Sequence, residues 1–182
     1  AERLSDGKHV AIKIPKDQEK GEEVLRKEAD IVKGIIHPNI VQVFAFHNIS
    51  DLFFIEMEFI DGFSLSAILQ GSNNATNLSF KQMLEWLANI LDGLAAVHQR
   101  NISHNDLKPE NILIAKDSNK AKITDFGVSR RFEDAWVWTK RHGTEAYMAP
   151  EVALEGKRSK VSDIYSLGVL LYEMTTGSLP YT

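Results

Sequence analysis

The 182-residue chain has no cysteine. That excludes a disulfide framework and any thiolate-bound metal, and it fits a reducing compartment such as the cytoplasm. Long apolar runs are missing as well. None approaches the roughly 18 residues that read as a membrane span, and the first residues lack the apolar core of a signal peptide, so no membrane contact is expected within this segment. The formal net charge is −4, with both signs interspersed. There is no basic stripe to follow a phosphate backbone, and nucleic acid is not an expected partner. Internal repeats and low-complexity linkers are absent too. What is present is 43% hydrophobic residues, enough at this length to bury a core.

The first part of the chain is rich in strand patterns. Arg3 to Ile14 reads as a hairpin, with Ser5-Asp6-Gly7 as the turn and Val10-Ala11-Ile12-Lys13-Ile14 as an alternating strand that Pro15 ends. Over residues 22–34 a helix is expected, with Val24, Glu28, Ile31, Val32 and Ile35 on one face and Gly34 as its stop. Glu28 is the odd member, because an acid on an apolar stripe is ordinarily a solvated flank residue. Two β-like runs follow, Val41 to His47 and Leu52 to Phe59, separated by a turn at Asn48 to Asp51. Asp61-Gly62 then breaks the pattern.

Beyond that break the pattern is mainly helical. Ser79 with Gln82 three residues on is a capping-box signal, and Met83, Trp86, Leu87, Ile90, Leu91, Leu94 and Val97 follow at helical spacing. The stretch from Gly71 to Asn77 reads as a surface loop. Short β-runs at Asn111 to Ala115 and Ala121 to Thr124 come next, and Val161 to Met174, apolar almost all round, reads as a core helix.

The chemistry lies in three stretches. His104-Asn105-Asp106-Leu107-Lys108-Pro109-Glu110-Asn111 is followed, 14 residues after Asn111, by Asp125-Phe126-Gly127, and then by Ala149-Pro150-Glu151. A lone Asp-Phe-Gly is a weak signal, but across two short β-runs at this distance it is a strong one. Upstream, Lys13 ends Val-Ala-Ile-Lys, and Glu28 lies 15 residues beyond it. On the tetrapeptide alone, Lys13 reads as a surface strand lysine; the downstream stretches change that reading.

This order and spacing resemble the catalytic domain of the eukaryotic-type (Hanks-type) serine/threonine protein kinases. The resemblance implies an α+β, two-lobed fold: a small β-rich lobe over residues 1–57, a hinge at 58–62, and part of a larger helical lobe over 63–182. It implies ATP and Mg²⁺ as cofactors and a protein substrate with a serine or threonine acceptor.

Phosphoryl transfer needs positioned metal ions, neutralised phosphate charge and an oriented hydroxyl more than covalent help. On the resemblance, Asp125 is a Mg²⁺ ligand and Asn111 supplies a neutral oxygen to a second ion, as suits a hard cation. Asp106 orients the acceptor hydroxyl at least as much as it acts as general base. Lys108 reaches the transferred phosphate as a mobile charge, while Lys13, paired with Glu28, contacts the α- and β-phosphates.

Ala11 and Leu113 would sandwich the adenine, with Met57 behind it as gatekeeper and the backbone of Glu58 and Ile60 hydrogen-bonding it. Val43, Val32, Phe126 and His104 would form an apolar column anchored by Asp163, although plain core packing explains such residues equally well. The activation segment would run from Asp125, Phe126 and Gly127 through Thr139 and Thr144 to Ala149, Pro150 and Glu151. Lys108 and Gly143-Thr144 resemble the serine/threonine branch, with Thr144 bonding Asp106 and Lys108.

Two departures stand out. Asn105 occupies the place of an arginine that in most relatives clamps a phosphate on the activation segment; Asn cannot make that ion pair, so the chain resembles the non-RD variants. No Gly-x-Gly-x-x-Gly cluster occurs before Lys13, so the chain reads as a kinase domain cut at both ends. It would then lack that loop, the later helices and an arginine partner for Glu151. Two rival readings remain: a catalytically weak interaction module or decoy, if this length is natural, and a small-molecule kinase of the aminoglycoside-phosphotransferase type, against which Ala149-Pro150-Glu151 argues.

Overall fold

Strand β1 (Val10–Lys13) lies beside β3 (Leu52–Glu58), which in turn pairs with β2 (Val43–Ile49), all antiparallel. In this computed structural model, residues 1–15, 18–50, 52–71, 78–126, 130–131 and 145–181 are described. The register sets Ala11 opposite Met57 and Val43 opposite the same Met57. The expected hairpin is present: Glu2 bridges His9, and Gly7 takes the turn at φ +69°, a conformation glycine adopts without Cβ strain.

Helix α1 (Gln18–Val32) packs on this sheet. It starts four residues before the expected Glu22, because the early turns are polar and carry no periodic signal; its outer side is tied instead by Glu22–Arg26 and Glu23–Lys27 pairs at i,i+4. Leu25 and Ala29 meet Phe53 and Ile55 to form a small core of their own. Gly34, at φ +78°, ends the helical segment as expected.

The second sheet is β4 (Gly62–Ser64), β6 (Ile112–Ala115) and β7 (Ala121–Ile123), in the order β4-β6-β7. The break expected at Asp61-Gly62 is therefore also the start of a strand. Gly62 is required there by close approach, since a Cβ would sit 2.0 Å from the Ile114 carbonyl oxygen.

Next to this sheet are the short α2 (Leu65–Leu69), capped by Ser64, and the long α3 (Phe80–His98), capped by Ser79 through the Gln82 N–H. In α3, Trp86, Ile90, Leu94 and Val97 are buried, but Leu91 is exposed, so the apolar stripe is narrower than its sequence pattern. Strand β5 (Ile102–Ser103) pairs with β8 (Arg130–Arg131).

Two helices close the chain, α4 (Pro150–Glu155) and α5 (Lys160–Thr176). Leu167, Leu170 and Met174 of α5 join the main core with Ile90, Leu94, Ile112, Ile123 and Phe126. Val161, Ile164 and Tyr172 face outward, which corrects the expectation of burial on every face. The architecture is α+β: a small antiparallel sheet with one helix, joined to a mainly helical part.

Candidate active site

The end of β1 and the middle of α1 converge through Lys13 and Glu28. Lys13 Nζ donates to both carboxylate oxygens of Glu28 at 2.7 Å and to Asp125 Oδ1 at 2.8 Å. Glu28 is only 4% exposed, which overturns the solvated-flank reading for an acid on this stripe. The Phe126 N–H also donates to its carboxylate. A carboxylate removed from water needs such partners.

Burial works against charge on both members of the pair. It is the strongest influence on Lys13 and pulls its pKa down, but Glu28 and Asp125 together outweigh it and hold the ammonium above its ordinary value. Glu28 is pushed up, first by burial, and Lys13 only partly offsets this.

A second group forms around Asp106. Lys108 Nζ lies 3.0 Å from Asp106 Oδ2, and Asn111 Nδ2 donates to the Asp106 carbonyl at 2.8 Å and to Oδ2 at 3.0 Å. The Thr124 N–H donates to the Asn111 carbonyl at 3.0 Å, tying the approach to Asp125 to this loop. The sequence Asp-Leu-Lys-Pro-Glu-Asn permits such closure because Pro109 opens a short 3-10 turn, Pro109–Asn111, that folds Asn111 back toward Asp106.

Beneath these groups, Val32, His104 and Phe126 are buried. The His104 and Phe126 rings meet edge-on with centroids 4.8 Å apart, an arrangement that contributes about 0.5–1.5 kcal/mol beyond area burial. Val43 packs against the main core from the small sheet. The wholly buried Asp163 accepts the His104 and Asn105 backbone N–H groups at 2.8 and 2.7 Å.

Sequence reading missed His98, whose Nε2 lies 2.7 Å from Asp163 Oδ2. It also missed Asn39, whose buried side chain donates to the Ala121 carbonyl at 2.9 Å. For His98 the available signal was a polar residue at the end of the apolar stripe of α3; Asn39 lies in a loop and carried no such signal.

The residues expected around an adenine are distributed over both sheets. Ala11 and Met57 face one another across β1 and β3, and Leu113 lies on β6 opposite Lys122. Glu58 ends β3, and its N–H is already given to the Gln42 carbonyl at 2.8 Å; toward a base it has only its carbonyl to offer. Ile60 follows, half-buried.

Further along, Ala149 is the N-cap of α4 and Pro150 occupies its first turn. Glu151 accepts the Ser162 hydroxyl at 3.1 Å and is thus turned toward α5. Ala149, Asp106, Tyr147, Met148, Ser162 and Ser166 are among the residues lining a cavity of about 20 Å³, room for one water. Gly127, Thr139, Thr144, Trp136, Trp138 and the side chain of Arg130 lie outside the described residues.

Chemically, the arrangement sets one cation between two carboxylates and a second cation beside a third. The Asn111 amide nitrogen is committed to Asp106, so its amide oxygen is the atom that could bind a metal, and Asp125 could add hard carboxylate oxygen. Among the described residues no group of three His, Asp or Glu side chains could hold a metal. That donor set suits Mg²⁺, which is ordinarily held by one or two protein oxygens together with phosphate and water.

Comparison with known proteins gives a consistent result. The family model described as the protein kinase domain matches residues 1–182. A probable serine/threonine-protein kinase pknA2 of Bifidobacterium longum is 36% identical over 99% of this chain and 24% of its own length. Serine/threonine-protein kinase PrkC of Bacillus subtilis is 34% identical over 100% of this chain and 28% of its own. Serine/threonine-protein kinase cds1 of Schizosaccharomyces pombe is 33% identical over 100% and 42%. The chain spans less than half the length of each of these relatives.

Proposed function

Because this chain belongs to the protein kinase domain family, we propose that it transfers the terminal phosphoryl group of ATP, with Mg²⁺, to serine or threonine hydroxyls of a protein substrate. The observation that carries this reading is Lys13 Nζ within 2.8 Å of both Glu28 and Asp125, with Asp106 held by Lys108 and Asn111 in the adjacent loop. Residues 1–57 act as the small lobe, 58–62 as the hinge and 63–182 as part of the large lobe.

Each residue then has a part. Lys13, oriented by Glu28, binds the non-transferred phosphates. Asp125 and Asn111 hold Mg²⁺, which when bound neutralises phosphate charge. Asp106 accepts a hydrogen bond from the substrate hydroxyl and orients it, and Lys108 offers its charge to the moving phosphoryl group. Ala11, Met57 and Leu113 enclose the adenine, with the Glu58 carbonyl and the Ile60 backbone at its edge. The segment from Asp125 and Phe126 through Gly127, Thr139 and Thr144 to Ala149, Pro150 and Glu151 shapes the acceptor side.

The relatives' names give no support to a decoy or interaction module. The cytoplasm is the proposed setting; among the described residues no helix is long and apolar enough to cross a membrane.

The test is transfer of radiolabel from γ-labelled ATP with Mg²⁺, by the full-length protein, to a protein mixture, followed by identification of the labelled amino acid. Label on serine or threonine that falls by about 10²–10⁴-fold in Asp106→Asn is the expected result. A folded protein that binds Mg·ATP without transferring phosphate would favour the interaction module instead, and label on tyrosine would overturn the assigned acceptor.

A further inference from the structure

One segment of the small lobe, residues 39–41, touches β7 directly. The Val41 N–H donates to the Ile123 carbonyl at 2.8 Å, and the Ile123 N–H donates to the Asn39 carbonyl at 2.9 Å. Ile40 and Ile123 thereby form a parallel bridge. Beside this bridge is a charged connection. Lys122 Nζ lies 2.6 and 2.8 Å from the two carboxylate oxygens of Glu58, and Glu58 Oε2 also accepts the Gln42 N–H at 3.1 Å.

Glu58 and Gln42 are thus linked twice, since the Glu58 N–H donates to the Gln42 carbonyl at 2.8 Å. The Lys122 side chain is 16% exposed and that of Glu58 30%, so the pair is partly shielded from solvent, and removing one partner leaves the other charge poorly compensated.

What this pair joins gives it meaning. Glu58 is the last residue of β3, where the chain leaves the small sheet. Lys122 is three residues before Asp125, on the strand that leads into it. One ion pair therefore ties the backbone expected to meet the adenine to the strand that delivers a proposed metal ligand.

We infer that Lys122 is a positioning residue: through Glu58 it fixes the spacing between the adenine edge and Asp125, and so sets nucleotide affinity without touching the reacting atoms. Lys122 acts as a strut across the two walls of the cleft. The pair coexists with the Lys13–Glu28–Asp125 contacts, so it supports the arrangement in which all three groups are assembled. This rests on the nucleotide reading above.

The experiment uses the full-length protein, with Mg·ADP titrated calorimetrically and steady-state kinetics run beside it. Lys122→Met is expected to weaken Mg·ADP binding and raise the KM for ATP about fivefold to tenfold, with kcat and the KM for the protein substrate changed less than twofold. Lys122→Arg, which retains the charge, is expected to restore most of the affinity. Glu58→Gln should weaken binding similarly, and Glu58→Gln combined with Lys122→Met should be no worse than either alone.

A purely structural role would lower the melting temperature and leave nucleotide affinity alone. That result, unchanged or tighter nucleotide binding in Lys122→Met, or additive losses in the double variant, would overturn the strut. If Lys122→Met does not fold, Lys122→Arg and Glu58→Gln still decide: full affinity in Glu58→Gln overturns it. If the wild-type protein binds no Mg·ATP, the kinase reading itself falls, which is a separate outcome read from a separate sample.

Discussion

The backbone N–H of Asn105 donates to Asp163 Oδ1 at 2.7 Å while Asn105 itself sits at φ +65°. The residue immediately before Asp106 is thus held in left-handed backbone by a buried carboxylate from α5. A side chain with a Cβ costs roughly 1–2 kcal/mol there, and Asn is among those that tolerate it best. Its Nδ2 also donates to the Ser103 carbonyl at 3.2 Å. Asn at this place therefore has a conformational meaning beyond the loss of an arginine's charge.

Asn105→Gly should stay within about 1 kcal/mol of the wild type in urea unfolding, whereas Asn105→Arg should lose about 1–2 kcal/mol. Equal stability of wild type and Asn105→Arg would show that Asp163 alone holds the turn. Since Asn105 cannot clamp a phosphate, Thr139→Ala in the full-length protein should reduce turnover by less than about a hundredfold, near 2.7 kcal/mol of barrier.

Lys13 and Glu28 are coupled at 2.7 Å, and the effects of replacing them should not add. Lys13→Met is expected to reduce kcat/KM by at least about a hundredfold, Glu28→Gln by less, and the double variant to match Lys13→Met. Phosphate transfer measured for all four proteins gives the answer; multiplied losses would mean that Glu28 acts other than through Lys13.

Much of this site was legible because its chemistry is written in short stretches. Asp106, Lys108 and Asn111 come from one loop, and Asp125 with Phe126 from another, so local spacing carries their relationship. Lys13 and Glu28 were legible only through family resemblance, since their meeting depends on how α1 lies across the small sheet. The Glu58–Lys122 pair was illegible, as residues 64 positions apart carry no periodic signal when each sits in its own strand. Periodicity overstated burial in α3 and α5, where Leu91, Val161 and Ile164 are apolar yet exposed: pattern reports which face is apolar, whereas packing decides how wide a stripe is covered.

Gly62 offers a test of the second sheet. A Cβ at this position would stand 2.0 Å from the Ile114 carbonyl oxygen, backbone that cannot rotate away, so Gly62→Ala must push β4 from β6. A loss of about 1–3 kcal/mol or more is expected. Gly168→Ala is the control: a Cβ added at this position in α5 would meet nothing within 4 Å, and helix propensity should make it neutral or stabilising by up to about 1 kcal/mol. The melting temperature should therefore fall in Gly62→Ala and hold or rise in Gly168→Ala.

The last expectation concerns alkaline pH. The Tyr147 hydroxyl donates to Glu173 Oε2, and its pKa is raised, first by burial and then by the Glu173 bond and charge. A raised pKa means that the folded state keeps the proton where the unfolded chain loses it. The stabilisation is therefore complete below the ordinary tyrosine value near 10 and declines as pH rises above it. Lys13, also raised, pushes the same way above its ordinary 10.5. Unfolding free energy should thus fall between pH 9 and 11, and Tyr147→Phe should flatten that slope in part while costing about 1 kcal/mol at pH 7 through the lost hydrogen bond. Denaturant melts at both pH values on the two proteins separate the contributions: an identical slope in Tyr147→Phe would assign the alkaline loss to Lys13 and other groups.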